Sequence, residues 1–305
     1  MTGQQNTLYR FRSFNDKFSD IMQFLREEWR TLLVFTVYFI LPLSLLQALA
    51  LPDMFSLGRL VDQNDAGMRV VLSGVFYALC TLTGEVIVAS IAYSVMRIHF
   101  FREGGTKGIT FRTFWPDMRH SLWRTFLYML LAGLLVGLGL GVYILFVIIT
   151  MRIGFIMAFV DLLLLPVLLV LLLPFSLSLP RVLLTDDGIW ASLRDGYRLG
   201  WKTLGGVLAI FFVLQLIVNM VTGICSMPAM VCMVIDMFSS MGEDVPIANN
   251  PLFLFAEYLS NVLYSFVNYA GAVVLLVGLG IQYGHAAEKI DGVTAAESVS
   301  SFDTL

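Results

Sequence analysis

The sequence predicts an all-α fold, a polytopic membrane helix bundle, and its composition and its long apolar runs lead to that prediction. Of the 305 residues, 58% carry hydrophobic side chains and only 13% are charged, and the mean hydropathy is +0.82. Soluble domains are about one quarter charged residues, so an ordinary soluble domain is excluded. Several segments exceed the roughly 20 apolar residues that cross a bilayer. In hydrocarbon these segments must be helical, because no water is present to bond the backbone.

The apolar segments divide into six expected transmembrane helices within a single domain, residues 31–285. The third and fourth helices are the hardest to separate. Only Met151–Gly154 offers a place for a tight hairpin between them, and one helix of their combined length would not fit the bilayer. The expected spans are Thr31–Ala50, Val70–Ile98, Leu122–Thr150, Ile153–Leu179, Thr203–Ser226 and Leu252–Tyr283.

Two further helices are expected outside the spans. Residues 1–30 form an N-terminal cytoplasmic segment whose apolar residues recur at helical spacing, which is typical of a helix lying in the membrane interface. A short cytoplasmic amphipathic helix is expected around Trp190, Leu193 and Tyr197. The interfacial helix is apolar at Phe14, Phe18, Ile21, Met22, Leu25 and Trp29, and polar at Asp16, Lys17, Asp20, Gln23 and Glu27.

The distribution of basic residues predicts the orientation. Sixteen of the 19 lysines and arginines fall in the N-terminal segment, the two loops that precede the third and fifth spans, and the tail. The other side has only Arg59, Arg69 and Arg152, so both termini are expected in the cytoplasm, with residues 286–305 as a polar tail.

The first apolar run begins after about thirty residues and no cleavage site follows a short apolar region, so no removable signal peptide is expected. We therefore expect a multi-pass protein of the inner (cytoplasmic) membrane.

One acidic residue stands inside an expected span. Glu85 lies in the second span on the same helical face as Gly74, Ala78, Thr81, Ala89 and Ala92. Small residues let another helix approach closely, so Glu85 is expected to face protein and not lipid. Amide side chains at a similar depth, Gln215 and Asn219 in the fifth span and Asn268 in the sixth, are its candidate partners. Since no lysine or arginine lies at that depth, we expect a neutral acid that donates a hydrogen bond to one of these amides.

Two readings of this intramembrane polar cluster stay open. Glu85 can be a structural hydrogen-bonding group, because polar contacts between membrane helices contribute about 0.6 kcal/mol on average. It can also be a proton or cation site, because ionisable residues within membranes are rare and are often functional.

A methionine-rich segment suggests a metal site, with a structural alternative. Met230, Cys232, Met233 and Met237 could offer soft sulfur ligands to copper(I). Flexible methionines also fill irregular apolar surfaces where a helix is interrupted, here near Pro228. The second interpretation is favoured, and no cofactor or metal is expected.

A glycine ladder in the third span predicts close helix packing. Gly133, Gly137 and Gly141 follow the GxxxGxxxG spacing, which brings backbones together within one subunit or between two. The expected neighbours are membrane lipids and either protein partners or a second copy of the chain, while nucleic acid is not expected.

The run PFSLSLPRVLLTDDGIWASLRDGYRLGWKTLGGVLAIFFVLQLI, Pro174–Ile217, carries a recurring pattern. A span ending in proline is followed by an acidic-glycine turn, a short amphipathic helix, and a basic aromatic entry at Trp201 and Lys202 into the next span. This pattern resembles a family of multi-span bacterial membrane proteins of unknown function, related to the membrane domain of glycerophosphodiester phosphodiesterases. The resemblance implies a multi-span protein and supplies no catalytic residues. The 305 residues include no phosphodiesterase domain, so direct lipid hydrolysis is not expected.

No motif in the sequence indicates a particular enzymatic reaction. A GxSxG elbow is missing, and the three histidines are scattered, so the sequence does not favour an enzyme. The expected function is that of a membrane organising or accessory protein. The alternative is a small-solute or proton-coupled transporter that uses Glu85 and the midplane amides.

The orientation can be tested by labelling. We expect tags at either terminus to be cytoplasmic and a cysteine introduced at Asn249 to react with a membrane-impermeant thiol reagent added outside, because residues 243–250 carry acidic and not basic groups. If that cysteine reacted only after the inner membrane had been permeabilised, the six-span assignment would be wrong.

Overall fold

A computed structural model of the chain describes residues 8–51, 64–102, 104–106, 108–150, 155–240 and 250–294. These residues are almost entirely helical and include no strand. Six of the helical stretches are long and apolar enough to cross a membrane, which confirms a multi-pass, all-α membrane protein. The hairpin expected at Met151–Gly154 and the site at Asn249 lie outside the described residues.

Five of the helices that can cross the membrane extend beyond the expected spans at one end or at both. The expected fourth span, Ile153–Leu179, is interrupted, because its α-helix ends at Leu172 and a 3-10 turn, Leu173–Leu177, follows. Two short helices then lead to the fifth span. The helices are α1 (Phe14–Gln47), α2 (Asn64–Phe101), α3 (Phe111–Thr150), α4 (Phe155–Leu172), α5 (Ser178–Leu184), α6 (Ile189–Lys202), α7 (Leu204–Ser240) and α8 (Pro251–Asp291).

Side-chain caps set where two of these helices begin. At α1, the Ser13 hydroxyl accepts a hydrogen bond from the Asp16 amide, and the Asp16 carboxylate accepts one from the Ser13 amide, which together form a capping box. At α8, the Asn250 side-chain oxygen accepts from the Leu252 amide, and Pro251 occupies the first helical position. Both caps satisfy amides that a helix start leaves without an intrahelical partner.

The expected interfacial helix is not a separate element. Residues 14–30 form the first half of the continuous helix α1. Phe14, Met22 and Trp29 are exposed, as expected for side chains facing lipid, but Lys17 is buried and not on a solvated face. Ile21 and Phe24 are buried as well, so the buried side of this half of α1 includes both apolar residues and Lys17.

The chain divides into two compact units, and the first comprises Met1–Glu27, Ala92–Phe212 and Leu276–Leu305. Within it, α6 packs on α5 and on the 3-10 turn. Gly196 lies directly against Ser178, and Gly200 against the backbone of Pro174, so neither position has room for a side chain. Leu193 is buried in this contact and does not face lipid, whereas Trp190 is exposed.

Ion pairs join α6 to its neighbours in the first unit. Arg181 pairs with Asp187 at 3.2 Å and with Asp195 at 3.1 Å, and Arg198 pairs with Asp291 at 2.7 Å. These pairs are partly exposed, so each contributes on the order of 1 kcal/mol or less. The glycine contacts therefore fix the position of α6, and the ion pairs add to it.

The second unit comprises Glu28–Ile91 and Val213–Leu275, which belong to α1, α2, α7 and α8. The Tyr269 ring lies on Gly84, and its hydroxyl donates to the carbonyl oxygen of Cys80 at 3.2 Å. Gly271 lies directly against Val218. Small residues thus bring α8 close to α2 and to α7, as in other membrane bundles.

The contact between Gly84 and Tyr269 predicts a stability difference between two glycines of α2. We expect Gly84→Ala to destabilise the protein by about 1 to 3 kcal/mol, because the new methyl group must displace a buried ring that is held by a hydrogen bond. Gly74→Ala is the matched control, because no atom lies within 4 Å of the added Cβ. Thermal unfolding in detergent should give a lower Tm for Gly84→Ala and an unchanged or higher one for Gly74→Ala. Equal Tm values would contradict this packing.

Candidate functional site: a polar interior in the second unit

The four residues of the predicted intramembrane cluster all lie in the second unit but are not equally buried. Glu85 and Gln215 are half-buried, whereas Asn219 and Asn268 are exposed. Gln215 donates to Asn219 at 2.9 Å, one helical turn away. No hydrogen bond joins Glu85 to any of the three amides. The expected donation from Glu85 to an amide is therefore not formed, because the amides bond one another or face outward.

Glu85 has different neighbours. Its carboxyl group interacts electrostatically with the buried Tyr269 phenol of α8. One turn earlier on α2, the Thr81 hydroxyl accepts a hydrogen bond from the Gln47 side chain of α1 at 2.9 Å. In the part of the chain that the structure describes, the Glu85 carboxyl group has no hydrogen-bond partner. Glu85 thus lies near Tyr269 of α8 and forms no hydrogen bond within the described residues.

A buried polar row on α8 ends at the same tyrosine. Glu257, Asn261, Ser265 and Tyr269 follow one another at intervals of four residues and are 8%, 9%, 3% and 4% exposed. An interval of four residues places side chains on one face of a helix, one turn apart. We call this face the α8 polar row. It places a second carboxyl group, Glu257, within the second unit.

The cluster predicted from the sequence includes Asn268 of α8, which is exposed and lies outside this row, and does not include Glu257. The signal was present, because the four-residue spacing of Glu257, Asn261 and Ser265 is visible in the sequence. Glu28 in α1 is a further buried acid of this unit that the sequence did not single out.

Several buried polar atoms of the second unit have no hydrogen bond among the described residues. The hydroxyl groups of Ser44, Thr222 and Ser265 and the side-chain oxygen of Gln47 are buried without a hydrogen bond among the described residues. An unsatisfied buried polar group costs about 1 to 3 kcal/mol, so a protein rarely keeps several in one unit. We use the term polar interior for the α8 polar row with Ser44 and Gln47 of α1, Thr81 and Glu85 of α2, and Thr222 of α7.

The described residues of the second unit include no buried lysine or arginine. The described lysines and arginines of the second unit are Arg30 and Arg69, and both are exposed. The polar interior can therefore hold a proton or a cation on its carboxyl groups, and it has hydroxyl and amide groups free to bind a polar molecule.

The proposed soft-metal ligands do not share a face of α7. Cys232 is 8% exposed and lies near Glu257 and Ser260, whereas Met230 and Met233 are 61% and 39% exposed. The side chain of Met237 lies outside the described residues. Cys232 thus packs toward α8, and the two described methionines point away from it.

The glycine ladder of α3 contacts nothing within the described chain. A Cβ added at Gly133, Gly137 or Gly141 would meet no atom within 4 Å. None of the residues in the most apolar 18-residue stretch of α3 is buried. Packing of the ladder within one subunit is not formed among the described residues, and packing against another chain stays a prediction.

Comparison with protein-family models, with curated proteins and with solved structures finds no match to this chain. The resemblance of Pro174–Ile217 to the membrane domain of glycerophosphodiester phosphodiesterases therefore stays a prediction.

Proposed function

We propose that the protein is a proton-coupled or cation-coupled carrier of a small polar solute, and that its polar interior is the binding site. The observation that carries this proposal is a set of buried hydroxyl and amide oxygens that have no hydrogen bond among the described residues, in the same unit as the carboxyl groups of Glu85 and Glu257. A purely structural bundle would gain more from apolar side chains at these positions, because unpaired polar groups cost free energy in a membrane.

The residues divide into two roles. Glu85 and Glu257 take up and release the coupling proton or cation, because they are the two acids that the polar interior contains. Ser44, Gln47, Thr222 and Ser265 bind the solute, because each offers an unused donor or acceptor. Tyr269 positions Glu85, since its ring and hydroxyl fix α8 against α2.

Proton movement by reconstituted protein tests this function. The protein is placed in liposomes that enclose a pH-sensitive dye, a membrane potential is imposed with potassium and valinomycin, and mixtures of small polar solutes are added outside. We expect the wild-type protein to acidify the lumen at least about tenfold faster than Glu85→Gln or Glu257→Gln, because glutamine keeps the shape but cannot ionise. The Tm of both variants should stay close to that of the wild type.

Asn268→Ala is the matched control, because this exposed amide lies outside the polar interior. It should move protons as fast as the wild-type protein. Wild-type liposomes that acidify no faster than empty liposomes with every solute mixture would contradict the proposal. An unimpaired Glu85→Gln variant would remove Glu85 from the mechanism.

A membrane organising or accessory role is the second candidate, and one observation favours it. The glycine ladder lies on an uncovered stretch of α3, where a helix of a partner protein or of a second copy could pack. In this reading the partner, and not a solute, is what the protein binds.

The second candidate predicts a specific effect of Gly137→Leu. The Tm of the purified chain should not fall, because the added side chain enters open space, whereas Gly284→Leu should lower it by collision with the backbone of Leu8. On native gels of gently solubilised membranes, the wild-type chain should migrate as a complex larger than 34.1 kDa, and Gly137→Leu should not. Identical migration of the two would remove the ladder as a partner site.

The basic-residue distribution supports placement in the cytoplasmic membrane with both termini in the cytoplasm. With that orientation, the acids and hydroxyl groups near Gln47 and Glu257 belong to the outer ends of α1 and α8.

A further inference from the structure

The first unit contains buried basic side chains near the start of α1. Lys17, Arg12 and His285 are 6%, 4% and 4% exposed. The exposed Lys289 adds a further positive charge to this group. Burying a charge is unfavourable unless it is paired, so each of these groups requires a partner.

Arg12 has its partners. Its guanidinium group donates to the Asp20 carboxylate at 2.6 Å and to the Leu8 carbonyl at 2.7 Å. Asp20 also accepts from Arg10 at 2.7 Å, so its charge is shared by two arginines. His285 Nδ1 accepts a hydrogen bond from the Arg12 amide at 3.1 Å, which places any ring proton of a neutral imidazole on Nε2.

Lys17 differs from Arg12, because no partner for it is present among the described residues. Within the described residues, its ammonium group has neither a hydrogen-bond acceptor nor an acidic neighbour. The charges that act on it are those of Lys289 and Arg12, and both are positive. An unpaired ammonium group at this depth requires an anion close by.

Gln282 is the second group in this region without a partner. It is 0% exposed, and neither its side-chain nitrogen nor its oxygen has a hydrogen bond within the described chain. A Cβ built on Gly206 would lie 2.9 Å from Gln282 Nε2, and 3.5 Å from both Gln282 Oε1 and Lys17 Nζ. The amide and the ammonium group therefore border the same small space, over the first turn of α7.

We propose that this space binds one small inorganic anion of the size of chloride, held by Lys17 Nζ, Gln282 Nε2 and the positive end of the α7 helix dipole. Amide and ammonium donors converge there, and a helix start attracts negative charge. Glycine at position 206 is required because any side chain would occupy the site. The two side chains that line the site are 6% and 0% exposed, so it is too enclosed for a lipid headgroup with its acyl chains.

Thermal unfolding in different sodium salts tests the site. The full-length protein in detergent is followed by tryptophan fluorescence in sodium gluconate, chloride or phosphate at one ionic strength. Replacing gluconate by about 0.2 M chloride should raise the Tm of the wild-type protein by about 4 °C, since a ligand stabilises the state that binds it.

Two pairs of variants separate the site from general salt effects. Gly206→Ala fills the space and Gln282→Leu removes a donor, so both should lose the chloride-dependent rise. Gly205→Ala, whose added Cβ meets no atom within 4 Å, and Lys289→Met, which removes an exposed charge, should keep it. Loss of the rise in the controls, or its retention in both site variants, would overturn the proposal.

The salt series also tests the identity of the ion. No difference between chloride and gluconate in the wild-type protein, or a rise with phosphate alone, would overturn the assignment to a chloride-sized anion. If the site variants do not fold, radioactive chloride retained by the purified wild-type protein decides the matter. About one ion per chain, displaced by unlabelled chloride and not by gluconate, is the expected result, and no retention would overturn the proposal.

Discussion

The structure depends on one constraint: a polar group within the hydrocarbon of a membrane must find its partner inside the protein. Many of the described side chains meet this constraint locally. Ser90, Thr83 and Ser260 donate to carbonyl oxygens of the preceding turn of their own helix. Tyr258 and Tyr269 donate to carbonyl oxygens of other helices within the second unit. These bonds leave the outer surfaces of the helices apolar, as lipid requires.

The buried polar groups that have no partner among the described residues indicate where the protein binds something else. The polar interior of the second unit and the site around Lys17 and Gln282 of the first unit each contain buried atoms that no described residue satisfies. The two regions differ in sign, because the first contains acids and the second contains cations. A cation or proton suits one region and an anion suits the other, and the same physical argument leads to both proposals.

Composition and hydropathy were enough to predict the architecture. Six spans follow from segment length and from the low share of charged residues, because these set the free energy of crossing a bilayer. The position of Glu85 beside another helix also follows from the small residues on its face of α2. The sequence does not predict which face of a helix is buried, because apolar side chains are stable both against lipid and against protein.

That ambiguity accounts for the differences between prediction and structure. Lys17 was expected on a solvated face and is buried, on the same side of α1 as the buried Ile21 and Phe24. Asn268 was expected inside and is exposed, while Glu257 of the same helix is buried. The GxxxGxxxG spacing of α3 allows close approach but does not specify a partner, and no described residue of the chain is one. The four-residue spacing of Glu257, Asn261 and Ser265 is visible in the sequence and predicts that they share one face of a helix.

Access of water to the polar interior tests the central claim most directly. In a variant with Cys80, Cys225 and Cys232 replaced by alanine, a single cysteine is introduced as Ser265→Cys in the α8 polar row or as Leu263→Cys, which is 43% exposed on the outside of the same helix. The account predicts that a small charged thiol reagent modifies the cysteine at position 265 in intact membranes, while the one at position 263 reacts only with a lipid-soluble maleimide. A cysteine at position 265 that the charged reagent does not reach would show a dry interior and would contradict its role as a binding site.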